Sequence, residues 1–246
     1  MLHSVVEGSG TAGRIVLVHG FTQTLASWDP IVAVLPAAYE LVRVDLPGHG
    51  GSSAERATFD ETAAAVAAIG GPDALYVGYS MGGRLCLAIG LRHASRGIVL
   101  VGASPGIADP GARAARAAAD EELAAAIELE GTHAFLERWL TQPMFRTLQP
   151  ATADLRARRA NSATGLAAAL RSLGPGVQPP LWRELPSLRA PALFVAGALD
   201  TRYVEIARRM AERAGPPAAA RTLPDAGHAA HLERPTACAA LIEELL

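Results

Sequence analysis

The sequence predicts an α/β protein with a mostly parallel, doubly wound β-sheet flanked by helices. Short apolar stretches of strand length recur along the chain, and each runs into a turn that contains glycine, which is typical of buried parallel strands. Patterns of helical spacing lie between several of these stretches, as βαβ units with right-handed crossovers require. The five clearest stretches are RIVLVHG, LVRVDLPGHG, ALYVGYS, GIVLVGAS and ALFVAGALD.

The remaining elements follow from the same patterns. Helical spacing predicts helices over residues 60–69 and 81–92, and strands are expected at residues 191–196 and 219–223. The last eleven residues, 236–246, have the spacing of an amphipathic helix. The chain therefore alternates strands and helices at both of its ends.

This alternation stops in the middle of the chain. No strand-like run occurs from residue 105 to about 185, and the segment has helical spacing interrupted by prolines at positions 143, 150, 175, 179 and 180. We therefore predict a core formed by residues 1–104 and 186–246. A helical cap, residues 105–185, is inserted after the strand that ends near Val101.

Composition narrows the function classes. The chain has 246 residues, of which half are hydrophobic, so we expect a single domain. Its formal net charge is −2, so we expect no nucleic-acid partner. No apolar run reaches the roughly 18–20 residues of a membrane span, and the early IVLV run is too short for an export signal. We expect a cytoplasmic protein without a membrane partner, monomeric or weakly homo-oligomeric. Cys86 and Cys238 lie in apolar helical patterns, and no metal site is indicated.

The stretch GYSMGGR contains the strongest catalytic signal. Its first five residues fit the pattern G-x-S-x-G, directly after a predicted strand and before a predicted helix. In that context a sharp turn exposes the serine hydroxyl above the sheet. Ser80 is therefore the candidate nucleophile or base.

A serine hydroxyl needs a histidine to share its proton and a carboxylate to orient that histidine. In the chain order serine, acid, histidine, the candidates are Asp200 after the strand ALFVAGALD and His228 in PDAGHAAHLE. Asp225 is a rival acid only three residues before His228. The backbone N–H groups of Phe21 and Met81 are the expected oxyanion hole.

The motifs VHGFTQTLASW, DLPGHGGSS, GYSMGGR, GALD and AGHAAH occur in the order found in the α/β-hydrolase superfamily, which the core resembles. The cap stretches ASPGIADPGARAARAAADEELA, FLERWLTQPMF and RRANSATGLAAALRSLGPGVQPPLW resemble those of the 2-succinyl-6-hydroxy-2,4-cyclohexadiene-1-carboxylate synthases, the MenH family. The resemblance thus covers both the core and the cap, and it implies an α/β-hydrolase fold.

The resemblance also implies an activity. That family eliminates pyruvate from 2-succinyl-5-enolpyruvyl-6-hydroxy-3-cyclohexene-1-carboxylate, a small tricarboxylate of menaquinone biosynthesis, without a cofactor. Its triad falls on the three residues chosen above. Its substrate-binding residues fall on Tyr79, Arg84, Arg116, Trp139 and Arg159.

Arg84 has a physical argument of its own. It lies four residues after Ser80 on a helix that is otherwise nearly all apolar, so its guanidinium can overhang the serine. A buried charge without a partner is costly, which favours a role in anion binding. Arg116 and Arg159 are alternatively solvated cap residues, and Trp139 is alternatively plain cap core. Arg202 stands where the family commonly has lysine, and its role is open.

Two other functions fit the same residues. Ser80 could act as a true nucleophile in the hydrolysis of esters, thioesters or lactones, because the G-x-S-x-G pattern is intact. The fold could also serve as a ligand sensor with little turnover.

Overall fold

The computed structural model describes residues 1–149 and 154–246 and contains a seven-stranded sheet. Its strand order is β1-β3-β2-β4-β5-β6-β7, and every neighbouring pair is parallel except β1 with β3. The predicted α/β class is confirmed. The strands are β1 (Ser4–Glu7), β2 (Gly13–Val18), β3 (Tyr39–Val44), β4 (Ala74–Tyr79), β5 (Gly97–Val101), β6 (Ala192–Gly197) and β7 (Ala218–Leu223).

The first strand was not predicted from the sequence. It has only four residues, pairs antiparallel with β3 from Ser4 opposite Val44, and is partly exposed along its length. Such a short edge strand lacks the continuous apolar run that marks the buried parallel strands.

Helices cover both faces of the sheet, as a doubly wound fold requires. One face packs against α2 (Phe59–Gly70), α3 (Met81–Arg92) and α7 (Thr201–Ala214), and the other against α1, α8 and α9. Alternate residues of one strand enter different cores, since Val16 belongs to the first and Leu17 to the second. The helices of the second face are α1 (Asp29–Val32), α8 (Ala230–Glu233) and α9 (Pro235–Glu243).

The described part of the chain between β5 and β6 contains helices and turns but no strand. Its helices are α4 (Pro110–Trp139), α5 (Leu155–Arg159) and α6 (Ala163–Leu173), and α4 is interrupted at Gly131, whose φ is 80°. Pro150, one of the predicted helix breaks, lies outside the described residues. A small apolar core joins α4 to α6 through Ala124, Ile127, Phe135, Leu136, Leu166, Ala167 and Leu170.

This helical region contacts the core beside the carboxyl end of β2. The ring of Phe21, three residues after β2, lies 6.2 Å from that of Phe135 and 5.4 Å from that of Trp139. The helices therefore stand over the edge of the sheet where ligands bind in open α/β folds. Within the described residues, no helix has both the length and the apolar character needed to cross a membrane.

Candidate active site

Ser80 occupies a strained turn between β4 and α3. Its φ is 48° and its ψ is −106°, a conformation that non-glycine residues rarely adopt. The turn is fixed because the Ser80 N–H donates to the Val101 carbonyl at 2.9 Å, and the Ser80 carbonyl accepts from the Arg84 N–H at 3.0 Å. The side chain is thereby presented at the carboxyl end of the sheet.

The glycines of the motif permit a close approach of backbones. A Cβ at Gly82 would lie 2.1 Å from the Val18 carbonyl oxygen, and a Cβ at Gly78 would lie 2.5 Å from the carbonyl of Gly82. Backbone atoms cannot rotate away as a flexible side chain can. Only glycine therefore lets α3 begin this close to the central strands.

Asp200 and His228 are brought together as predicted from the motif order. The distance from His228 Nδ1 to Asp200 Oδ2 is 2.8 Å, and Asp200 is held in turn by the Tyr203 N–H, which donates to its other oxygen at 3.3 Å. Since a carboxylate only accepts, this bond puts the proton on Nδ1 and leaves the Nε2 lone pair available. Nε2 is buried and has no hydrogen-bond partner among the described residues.

The rival acid, Asp225, does not contact His228. Its side chain is 81% exposed and lies 3.7 Å from the guanidinium of Arg234. The three-residue separation places it on a turn that faces solvent, with φ at 52°. The geometry thus favours Asp200 as the partner of His228.

The rings of two tyrosines pack against the His228 imidazole. The ring centroid of Tyr203 lies 4.6 Å from that of His228, and the ring centroid of Tyr79 lies 5.4 Å from it. Tyr79 is 3% exposed, and burial raises the pKa of its hydroxyl. Tyr79 packs against the imidazole and does not line the cavity described below, whereas the resemblance implied a direct contact with substrate.

The two residues predicted to supply the oxyanion hole, Phe21 and Met81, line the same cavity as Ser80. Met81 is the first residue of α3, so its N–H has no acceptor within the helix. The Phe21 N–H likewise has no acceptor in the part of the chain that the structure describes. Both groups are therefore available to an oxygen bound near Ser80.

A cavity of about 520 Å³ opens above these groups, between the sheet and α4. This volume lies in the range of about 300–1,000 Å³ that is usual for sites of small molecules. Its wall includes Phe21, Ser80, Arg84, Arg116, Trp139 and Arg202.

Arg84 is a buried cation with neutral partners. Its side chain donates from Nη1 to Gln178 Oε1 at 2.8 Å and from Nη2 to the Leu173 carbonyl at 2.7 Å. Burial lowers the pKa of Arg84 to about 10, which leaves the guanidinium charged at neutral pH. Among the described residues, no carboxylate forms an ion pair with it.

Arg116 lies in the same wall but is neutralised. Its Nε donates to Asp120 Oδ1 at 2.7 Å, across one turn of α4. Asp120 is 4% exposed and accepts from the Gly176 N–H with its second oxygen at 3.2 Å. A substrate carboxylate would therefore compete with Asp120 for Arg116.

Arg159 does not line this cavity, whereas the resemblance placed it among the substrate-binding residues. Its side chain is 42% exposed, lies 4.0 Å from Glu137, and borders a separate depression with Leu148 and Leu155. Its neighbour Arg158 is 1% exposed and donates from Nη1 to Thr22 Oγ1, next to Phe21. The side chains of consecutive helical residues point about 100° apart, so only one of these two arginines faces inward. Because both residues are arginine, the sequence pattern does not show which of them is buried.

Trp139 contributes to both the cavity wall and the cap core. Its ring stacks on Phe135 at 5.5 Å with an interplanar angle of 29° and lies 5.9 Å from the ring of Phe145. Its indole N–H is buried and has no acceptor within the described residues. Trp139 therefore packs in the cap core and also borders the cavity, and its contact with a substrate stays a prediction.

Three further histidines are buried near the loop that follows β2. His19, His49 and His231 are fully buried, and burial lowers the pKa of each imidazole. His49 Nε2 accepts from the Thr22 N–H at 3.2 Å, and Gln23 Nε2 donates to His231 Nε2 at 3.2 Å. These neutral rings fix the loop after β2.

Metal-ligating side chains are not clustered in the described residues. Cys86 and Cys238 are buried and unpaired, and burial raises the pKa of both thiols. Neither cysteine contacts the cavity.

Comparison with known proteins identifies the family of this chain. The profile of the alpha/beta hydrolase family matches residues 15–241. The 2-succinyl-6-hydroxy-2,4-cyclohexadiene-1-carboxylate synthase of Serratia proteamaculans (strain 568) is 32% identical over 258 residues, covering 100% of this chain and 98% of that protein. The synthase of the same name from Enterobacter sp. (strain 638) is 31% identical, covering 98% and 96%.

A solved structure is similar over its full length. The structure of MenH from S. aureus superposes with a TM-score of 0.92 at 27% identity and covers 100% of this chain and 98% of that one. The chain therefore belongs to the alpha/beta hydrolase family and, within it, to the 2-succinyl-6-hydroxy-2,4-cyclohexadiene-1-carboxylate synthases.

Proposed function

We propose that this protein is the menaquinone-pathway lyase that eliminates pyruvate from 2-succinyl-5-enolpyruvyl-6-hydroxy-3-cyclohexene-1-carboxylate. The observation that carries the proposal is the pairing of a serine elbow with the buried cation Arg84, which has only neutral partners among the described residues. A neutral ester gives no reason to keep such a charge in the cavity that Ser80 lines, whereas a tricarboxylate does.

In the proposed reaction, the triad acts as a base on a carbon acid. His228 Nε2 takes the Ser80 hydroxyl proton while Asp200 stabilises the imidazolium, and the Ser80 oxygen removes the proton alpha to the succinyl carbonyl. The C–H electron pair forms an enolate. Its collapse shifts the ring double bond and breaks the C–O bond to the enolpyruvyl group. Enolpyruvate takes up a proton and tautomerises to pyruvate.

The backbone donors of Phe21 and Met81 would hold the enolate oxygen. One such donor is worth about 2.7–4 kcal/mol in characterised enzymes. Arg84 and Arg116 would hold substrate carboxylates, with about 1.5–3 kcal/mol for each charged hydrogen bond. The helices between β5 and β6, namely α4, α5 and α6, would act as the cap that closes the cavity.

The proposal is tested by pyruvate release from the purified enzyme, coupled to lactate dehydrogenase. We expect the wild-type protein to form pyruvate well above the spontaneous rate, and Ser80→Ala to lose at least about a thousandfold of that rate. Wild-type release equal to the spontaneous background would refute the lyase.

The intact G-x-S-x-G turn keeps ester hydrolysis as the second candidate. A nucleophilic Ser80 would give burst release from p-nitrophenyl esters and a trapped acyl group on Ser80. A ligand sensor would instead bind tightly without product, whether or not Ser80 is present. The lyase predicts no acyl group on Ser80 during pyruvate release and no tight binding without product, and at most slow side hydrolysis of activated esters.

A further inference from the structure

The side chain of Asn161 links the cap to two loops of the core. Asn161 follows α5, is 4% exposed, and donates from Nδ2 to the Thr22 carbonyl at 2.8 Å. Its Oδ1 accepts from the Gly50 N–H at 2.8 Å. One amide group thus satisfies a buried acceptor in the loop after β2 and a donor in the loop after β3.

Thr22, the residue held by Asn161, has an unfavourable backbone conformation. Its φ is 68°, in the left-handed region that a β-branched residue rarely enters. Such a conformation persists only where the surrounding contacts fix it. In addition to Asn161, His49 accepts from the Thr22 N–H at 3.2 Å, and the Arg158 guanidinium donates to Thr22 Oγ1.

The strained residue lies directly after the proposed oxyanion donor. The Phe21 N–H itself belongs to the preceding Gly20–Phe21 peptide, whose carbonyl oxygen lies 2.8 Å from His19 Nδ1. The contacts of Thr22 fix the next two peptides, one at the Thr22 N–H and the other at the Thr22 carbonyl, and so restrain the backbone on the carboxyl side of Phe21. Two of the three partners, Arg158 and Asn161, belong to the cap. The cap is therefore tied to the oxyanion loop by direct hydrogen bonds, as well as by the ring contacts of Phe21.

We infer that Asn161 is a positioning residue through which the cap holds the Phe21 N–H in place for the developing oxyanion. The role given to Phe21 rests on the proposed function, whereas the restraint on Thr22 does not. The inference differs from substrate binding by a wall residue, since Asn161 is not in the cavity wall. It therefore predicts an effect on kcat and little effect on KM.

Asn161→Asp is the sharpest variant because it keeps the size of the side chain. An ionised aspartate still accepts from the Gly50 N–H but has no donor for the Thr22 carbonyl. Thr132→Val is the matched control. Thr132 Oγ1 donates to the Asn161 backbone carbonyl at 2.9 Å, so this variant removes a neighbouring buried bond and leaves the Asn161 side chain intact.

Two readouts are taken on wild type, Asn161→Asp, Asn161→Ala and Thr132→Val, with thermal unfolding to establish that each is folded. Hydrogen exchange followed by mass spectrometry reports opening of the peptide that covers residues 19–24. We expect it to speed up at least about tenfold in the folded Asn161 variants and not in Thr132→Val. We expect kcat for pyruvate release to fall at least about tenfold in Asn161→Asp with KM within about twofold.

Unchanged exchange at residues 19–24, or unchanged kcat in a folded Asn161 variant, would overturn the inference. So would a loss confined to KM. If the wild-type enzyme releases no pyruvate, the proposed function fails. Hydrolysis of p-nitrophenyl acetate then supplies kcat, because it also places negative charge on an oxygen at the Phe21 N–H. A wild-type protein that turns over neither substrate overturns both proposals.

Discussion

Arg84 and Arg116 line one cavity but differ in what holds their charge. The carboxylate of Asp120 pairs with Arg116, whereas Arg84 donates to the Gln178 amide and the Leu173 carbonyl. Neutral acceptors orient a guanidinium without cancelling its charge. In the proposed reaction, Arg84 would therefore offer an unneutralised positive charge to a substrate carboxylate, whereas Arg116 would have to exchange one carboxylate for another.

This difference predicts a selective loss in Arg84→Met, which keeps much of the side-chain volume. We expect kcat/KM for the tricarboxylate to fall at least about tenfold, equivalent to about 1.4 kcal/mol, while hydrolysis of a neutral p-nitrophenyl ester changes little. Steady-state kinetics on both substrates check this prediction. Arg159→Met is the matched control, because Arg159 borders another depression and its removal should affect neither reaction.

Equal losses on the charged and the neutral substrate would show that Arg84 supports only the fold. A tenfold loss in Arg159→Met would show that the cavity wall extends beyond the residues assigned to it here. Either outcome would contradict the charge argument.

At the scale of single elements, the buried strands and the helix after Ser80 are predictable from the sequence. Parallel strands with both faces covered need continuous apolar runs, and the elbow adds glycines at fixed positions. The edge strand β1 carries no such run. Whether Arg158 or Arg159 points into the protein depends on the rotation of α5 about its axis. This helix has only five residues, three of them arginine, so its sequence has no apolar pattern that would predict the rotation.

The start of α3 gives a prediction at the same scale. In Gly82→Ala the new methyl group would lie 2.1 Å from the Val18 carbonyl oxygen, so α3 must shift and carry Ser80 with it. We expect the free energy of unfolding to fall by about 1–3 kcal/mol and pyruvate release to be largely lost. Denaturant unfolding and the pyruvate assay measure the two effects.

Gly111→Ala serves as the matched control for that variant. A Cβ at Gly111 would meet only the flexible Asp109 side chain, at 3.2 Å. Stability and turnover should stay close to wild type. A fully active, equally stable Gly82→Ala would contradict the role assigned to the close approach of α3.

For the whole molecule, the catalytic end of the sheet is supported by buried neutral histidines. Burial lowers the pKa of His19, His49 and His231. As the pH falls below about 6.5, these histidines become protonated in the unfolded chain, whereas in the folded state they stay uncharged. The unfolded state then binds more protons than the folded one. By linkage, the contribution of these histidines to the free energy of unfolding is fully present above about pH 6.5 and decreases as the pH falls below that value.

We accordingly expect the free energy of unfolding to decrease between pH 6.5 and 5. Each buried histidine contributes up to about 1.4 kcal/mol per pH unit. Urea unfolding at pH 7.5, 6.5, 5.5 and 5 measures the slope, and His231→Gln should make it shallower. A free energy that is constant over this range would contradict neutral burial of the three rings.

The central claim concerns the whole enzyme, namely that the serine elbow catalyses an elimination and not a hydrolysis. Mass spectrometry of both products formed from the enolpyruvyl substrate tests it most directly. The account predicts a ring product and pyruvate whose masses add up to that of the substrate, formed by wild type well above the spontaneous rate and by Ser80→Ala at least about a thousandfold more slowly than by wild type. A ring product that has gained the elements of water, formed in a Ser80-dependent reaction, would contradict it.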